Sequence, residues 1–182
     1  MSRMSKSHRI ATAALAVAVA AAATAQARDY PQPLNRESVG DWMVECFDEE
    51  ATPGTCQIYQ RMLTGGGTDV VMVTALAYRG PDLHLQMALP LGVDLAQGAV
   101  IASGSDPVRL GIARCTGQGC LVEGPVDEAL LDGLVGAEAA AVQVTVPTQG
   151  PIDIPLSLQG FTQALSRIAP PDGEAATTSM VD

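Results

Sequence analysis

The sequence predicts an all-β fold: an antiparallel β-sandwich, stapled by disulfides and carrying one or two short helices late in the chain. Three observations predict it. Short apolar segments recur at regular spacing, separated by turn residues, which is the pattern of a sandwich rather than of alternating strands and helices. Several segments alternate residue by residue; from Asp82 to Leu89, the side chains of Leu83, Leu85, Met87 and Leu89 share one face, and His84 and Gln86 the other. There are 4 cysteines, and an even set in an exported chain reads as a disulfide framework.

Export is read from the N-terminus. Arg3, Lys6 and Arg9 make a basic start, Ile10 to Ala23 is an uncharged apolar run, and Ala25-Gln26-Ala27 is a small-x-small cleavage site. That order is a secretory signal peptide over residues 1–27. The run counts 14 residues, short of the roughly 20 that a spanning helix needs. An uncleaved anchor and a cut after Ala25 are the alternatives. No Arg-Arg pair precedes the run and no Cys sits beside the cleavage site, so neither twin-arginine export nor a lipid anchor is indicated.

The remaining chain is taken in order. Residues 28–38, RDYPQPLNRES, read as a polar N-terminal arm, and the sandwich domain is predicted over 39–168. A first strand spans about Gly40 to Phe47, with Trp42, Val44 and Cys46 on one face, and a second about Thr55 to Leu63, with Cys56, Ile58 and Met62 on one face. Gly65-Gly66-Gly67 is a hairpin turn, because the Gly-Lys-Ser/Thr of a phosphate loop does not follow it. Val70 to Tyr78 is nearly continuous in apolar residues and predicts a central buried strand. After the alternating strand Asp82 to Leu89, Leu91 to Ala99 is a loop or short strand with a turn at Gln97-Gly98.

Val100 to Ala102 and Val108 to Cys115 form a hairpin around Ser103 to Pro107. Apolar parity in its second arm runs through Val108, Leu110 and Ile112 and then fails at Arg114, which predicts a bulge or a strand end there. Gly119 to Val122 resumes as strand. A helix over about Val126 to Leu134, started by Pro125 and Asp127-Glu128 and stopped by Gly136, turns Ala129, Leu130, Leu131 and Leu134 to the sheet. Strands follow at Val142 to Val146 and Ile152 to Leu156. A last helix opens at Ser157 and aligns Leu158, Phe161, Leu165 and Ile168. Pro170-Pro171 ends it, and residues 169–182 are predicted to be a disordered tail.

Charge narrows the function. The whole chain is formally −10, and cleavage at residue 27 leaves 7 arginines, no lysine and 20 carboxylates in 155 residues, a net charge of −13. Phosphate backbones and anionic lipid surfaces repel such a chain, so nucleic acid is excluded as a partner and peripheral membrane binding is disfavoured. Four cysteines allow three pairings. Proximity across turns favours Cys46–Cys56 and Cys115–Cys120, the second closing the glycine-containing turn Thr116 to Gly119. A four-thiolate zinc site is the competing reading, but the spacings C-x9-C and C-x4-C are not those of zinc knuckles.

Several motifs in fixed order resemble the invasion-associated locus B family of exported bacterial proteins. They are Trp42-Met43-Val44-Glu45-Cys46, Cys56-Gln57-Ile58-Tyr59-Gln60, the turn Leu89 to Val93, Cys115 with Gly119-Cys120, and the closing Ser157 to Phe161. The resemblance covers Gly40 to Ile168. It implies a single immunoglobulin-like β-sandwich exported to the periplasm, with the cell surface or secretion as further destinations. It also implies association with host-cell invasion in some pathogens. The family has no established reaction, so no catalytic or ligand residue is carried over.

Read directly, the residues offer little chemistry. The chain after residue 27 has one histidine, His84, which parity places on the solvent side beside Gln86, and there is no G-x-S-x-G elbow. Asp48-Glu49-Glu50 is a solvated loop, Asp127-Glu128 is a helix start, and no D-x-D-x-D-G calcium loop occurs. The methionines are scattered, as core filler is, rather than grouped as copper ligands. The expectation is therefore a non-enzymatic envelope protein without cofactor or metal, acting through contacts with a protein or envelope partner. The alternative is a thiol-redox or hydrolytic enzyme using Cys115 and Cys120 or His84.

Overall fold

The computed structural model describes residues 31–50, 54–63, 66–104 and 106–170; the leader over 1–27 and the tail from 171 lie outside the described residues. Eleven strands and two helices follow in the order β1 (Asn35–Val39), β2 (Trp42–Cys46), β3 (Cys56–Leu63), β4 (Val70–Arg79), β5 (Asp82–Leu89), β6 (Ala99–Ala102), β7 (Val108–Leu110), β8 (Ile112–Thr116), β9 (Gly119–Pro125), α1 (Glu128–Gly136), β10 (Ala139–Val146), β11 (Gly150–Ser157) and α2 (Phe161–Ile168). They build a seven-stranded sheet, β1-β2-β3-β4-β5-β9-β8, and a four-stranded sheet, β11-β10-β6-β7. Every pairing is antiparallel. The predicted β-sandwich is the observed architecture.

The alternating segments supply the core. In β5, Leu83, Leu85, Met87 and Leu89 are buried and His84 and Gln86 are not, because a period of two sends one set under the second sheet. Met72 and Leu76 of β4, Ile58 of β3 and Val122 of β9 join them, facing Ile101, Val142 and Val144 of the smaller sheet. The helices close the sandwich. α1 is capped by the Asp127 carboxylate, which accepts from Leu130 N–H at 2.8 Å, and inserts Leu130 and Leu134. α2 inserts Phe161, Ala164, Leu165 and Ile168; the Phe161 ring lies 5.2 Å from that of Trp42, tilted by 59°.

Trp42 is also tied by a polar joint between the sheets. Its Nε1–H donates to the Ser157 carbonyl at 3.0 Å. The Gln60 side chain, 4 % exposed, accepts from Ser157 N–H at 2.9 Å and donates to the Ser157 and Asp41 carbonyls at 3.1 and 3.3 Å. Beside it Gly40 and Gly160 meet back to back, both at positive φ; a Cβ on Gly160 would lie 2.4 Å from the Val39 carbonyl oxygen.

Five readings need correction. The second half of the expected polar arm is strand: β1 pairs with β2 from Asn35↔Cys46 to Val39↔Trp42, and Leu34 N–H donates to the Cys46 carbonyl at 2.9 Å. An edge strand with mostly exposed side chains has the composition of an arm, since its pairing is carried by the backbone. The segment read as Val108 to Cys115 is two strands: at Gly111 the chain leaves the smaller sheet and enters the larger, and a register shift falls between Ile112 and Arg114. β4 is central in its sheet but buried on one face only. Ala129 is exposed, because α1 meets the core through Leu130 and Leu134. The last helix starts at Phe161, not Ser157, which is still strand and is held there by Gln60.

Candidate functional site: the open face of the seven-stranded sheet

One face of the seven-stranded sheet is roofed by the second sheet and the helices, and the other is not. On that open face the register aligns side chains in rows across the strands. One row runs Arg36, Glu45, Gln57, Ala77, His84, Pro125; the next runs Ser38, Met43, Tyr59, Ala75, Gln86, Glu123; a third runs Arg61, Val73, Ala88, Leu121. The middle of the face, on β4 and β5, is small and apolar: Val73, Ala75 and Ala77 are half-buried and Ala88 exposed. A strand this apolar reads as fully buried, yet nothing among the described residues covers it.

Polar groups border this strip on both sides. On the β1–β3 side Glu45 is 6 % exposed, which a carboxylate tolerates only when paired. Arg36 reaches it at 2.6 Å from the edge strand, and Gln57 Nε2 donates to it at 3.2 Å. The Tyr59 hydroxyl bonds to it as well; burial first, then this hydrogen bond and charge, hold the Tyr59 pKa above its ordinary 10.0. The Arg61 guanidinium lies over the Tyr59 ring, 5.5 Å from its centroid. On the β9–β8 side Arg114 pairs with Glu123 at 2.5 Å, and Gln86 donates to Glu123 at 3.4 Å.

The structure brings His84 onto this face, at the edge of a depression of about 40 Å³ lined also by Gln57, Ala75, Ala77, Arg79 and Gln86. The lining brings no hydroxyl, thiol or carboxylate to the imidazole, so the arrangement lacks the nucleophile and orienting acid of a hydrolytic triad. Small-molecule sites span roughly 300–1,000 Å³. The depression lies well below that range.

The four cysteines lie elsewhere. Cys46 is bonded to Cys56 and Cys115 to Cys120; each pair is directly opposed across neighbouring strands, with Cα atoms 4.0 Å apart. Cys46, Cys56 and Cys120 are buried at 7, 2 and 3 %, whereas Cys115 is exposed. Among the described residues no cluster of three or more His, Cys, Asp or Glu side chains could hold a metal, and no helix is long and apolar enough to cross a membrane. The open face itself was missed by the sequence reading. Its signal was present in the odd-numbered residues of β4, which are as apolar as the core face but smaller.

Comparison with known proteins gives the family. No curated protein matches the chain. A solved structure, the crystal structure of invasion associated protein B from Bartonella henselae, is similar with a TM-score of 0.64 at 19 % identity, over 74 % of this chain and 95 % of that one. At that identity the likeness is one of fold. Residues 42–169 match the model of the invasion associated locus B (IalB) protein family, from Trp42 to the residue after the last helix. The chain belongs to the IalB family.

Proposed function

We propose that this chain is an exported domain of the bacterial envelope, working in the periplasm or at the cell surface, and that it acts by holding a protein partner against the open face of its seven-stranded sheet. The open face carries the reading: a strip of Val73, Ala75, Ala77 and Ala88, bordered by hydrogen-bonded polar groups and left without a roof. An apolar centre within a polar rim is the anatomy of a protein contact. The shallow relief favours a macromolecule over a small ligand. In a pathogen, an invasion-associated role follows from the family and from the Bartonella protein that shares the fold.

The test places a photo-crosslinking residue at Gln86, on the open face, and at Ser166, exposed on α2, in the protein expressed in its own cells. The expected result is a discrete adduct of one mass from position 86 and none from 166. Adducts from 166 alone, or none from 86, overturn the proposal.

A further inference from the structure

We propose that Cys115 is a site of thiol–disulfide exchange at which an external thiolate attaches covalently to the folded protein, while the Cys46–Cys56 bond stays inert. Access to the sulfur decides which cysteine reacts. A thiolate displaces one sulfur from another along the line of the breaking bond, so reactivity requires open space beyond the sulfur attacked. Cross-strand disulfides lie across the sheet, and the strand flanking each cysteine decides what occupies that line. Beyond Cys46 runs β1, with Asn35 opposed to it, and beyond Cys56 runs β4; both sulfurs also point into the core. Beyond Cys120 runs β5, where Leu89 is opposed to it. Beyond Cys115 there is no strand, because β8 is the last in its sheet, and Cys115 is exposed. Of the four cysteines, it alone has an open line of approach.

The step balances without an outside oxidant. A thiolate attacks Cys115 Sγ, the new sulfur–sulfur bond forms as the Cys115–Cys120 bond breaks, and Cys120 leaves as the thiolate and takes up a proton. A second thiolate attacking the mixed disulfide at its outer sulfur leaves both cysteines reduced and the two external thiols joined. The fold survives either step. Cys115 and Cys120 are already register partners in the β8–β9 hairpin, which the backbone ladder continues to hold, and the bond closes a separation of only 5 residues. Cys115 shares the sheet face of its opposed partner Cys120, the roofed one, so an attached thiol would sit at the sheet's edge, away from the open face.

The test treats the native, fully bonded protein with reduced glutathione at neutral pH, quenches with an alkylating agent, and maps peptides by mass spectrometry while circular dichroism follows the fold. The expected result is glutathione on Cys115, an alkylated thiol at Cys120, unchanged dichroism, and opening of Cys46–Cys56 at least about tenfold slower. Glutathione on Cys120, Cys46 or Cys56, comparable rates for the two bonds, or no reaction at Cys115 while denatured protein reacts, each overturns the proposal.

Discussion

Gln60 holds the joint between the two sheets, and replacing it with leucine should loosen that joint by a calculable amount. Its amide pairs with both the N–H and the carbonyl of Ser157, as a neighbouring strand would, and reaches the Asp41 carbonyl as well. Leucine has similar bulk but neither donor nor acceptor. After the change the Ser157 carbonyl keeps the Trp42 Nε1–H, whereas the Ser157 N–H loses its partner. An orphaned buried donor costs about 1–3 kcal/mol, and the lost bond to Asp41 adds about 0.5–1.5 kcal/mol. The sum, about 1.5–4.5 kcal/mol, lowers the melting temperature of a domain this size by roughly 3–18 °C. Thermal and urea unfolding followed by fluorescence read it directly, since Trp42 is the single tryptophan and belongs to the same joint. Gln86→Leu, on the open face, is the control and changes stability by under about 0.5 kcal/mol. If Gln60→Leu melts within about 2 °C of the wild type, the joint is not what connects the sheets and the reasoning fails.

Three further outcomes follow from buried or constrained groups. Thr74 is 1 % exposed and its Oγ1 has no hydrogen-bond partner among the described residues, so Thr74→Val raises stability by about 1 kcal/mol in urea unfolding; a loss of stability would show an unseen partner. Gly160→Ala costs at least about 2 kcal/mol, because its φ of 80° and the Val39 carbonyl leave no room for a Cβ. Gly117→Ala, at a turn position open to solvent, changes stability by under about 0.5 kcal/mol, and equal effects of the two would contradict the close approach. For Tyr59 the folded phenol stays protonated after the unfolded chain has ionised, so its contribution is present below pH 10.0 and is lost as pH rises through the raised native value. Tyr59→Phe therefore flattens the decline of stability above that pH, and an unaltered slope in denaturation series would rule the assignment out.

The sequence was most legible where one face of a strand is wet. β5 alternates because water and core impose opposite demands on neighbouring residues, and its inward set is read straight from Leu83 to Leu89. The failure of parity at Arg114 marked the register shift for the same reason. Where both faces are apolar the rule loses its contrast. Val71 to Ala77 satisfies a buried strand and an uncovered one equally, and what lies above a sheet is a long-range fact that no local pattern carries. β1 escaped because all but one of its side chains are polar and its place in the sheet is set by backbone pairing with β2. Ser157 was misread because its capping chemistry suits a helix start, while its actual partners, Gln60 and Asp41, are 97 and 116 residues away in the chain.

The central claim, that the open sheet face is the working surface, is tested most directly by placing charge in its apolar strip. Ala75→Glu with Ala77→Glu puts two carboxylates in the middle of the face, where the side chains are half-buried by their neighbours and point away from the core. The measurement is the yield of cross-linked adduct from the photo-reactive residue at position 86, with the melting temperature of the same protein as its control. The expected result is loss of the adduct with the cooperative unfolding transition retained. An undiminished adduct on a folded protein carrying both charges would contradict it and move the partner to another surface.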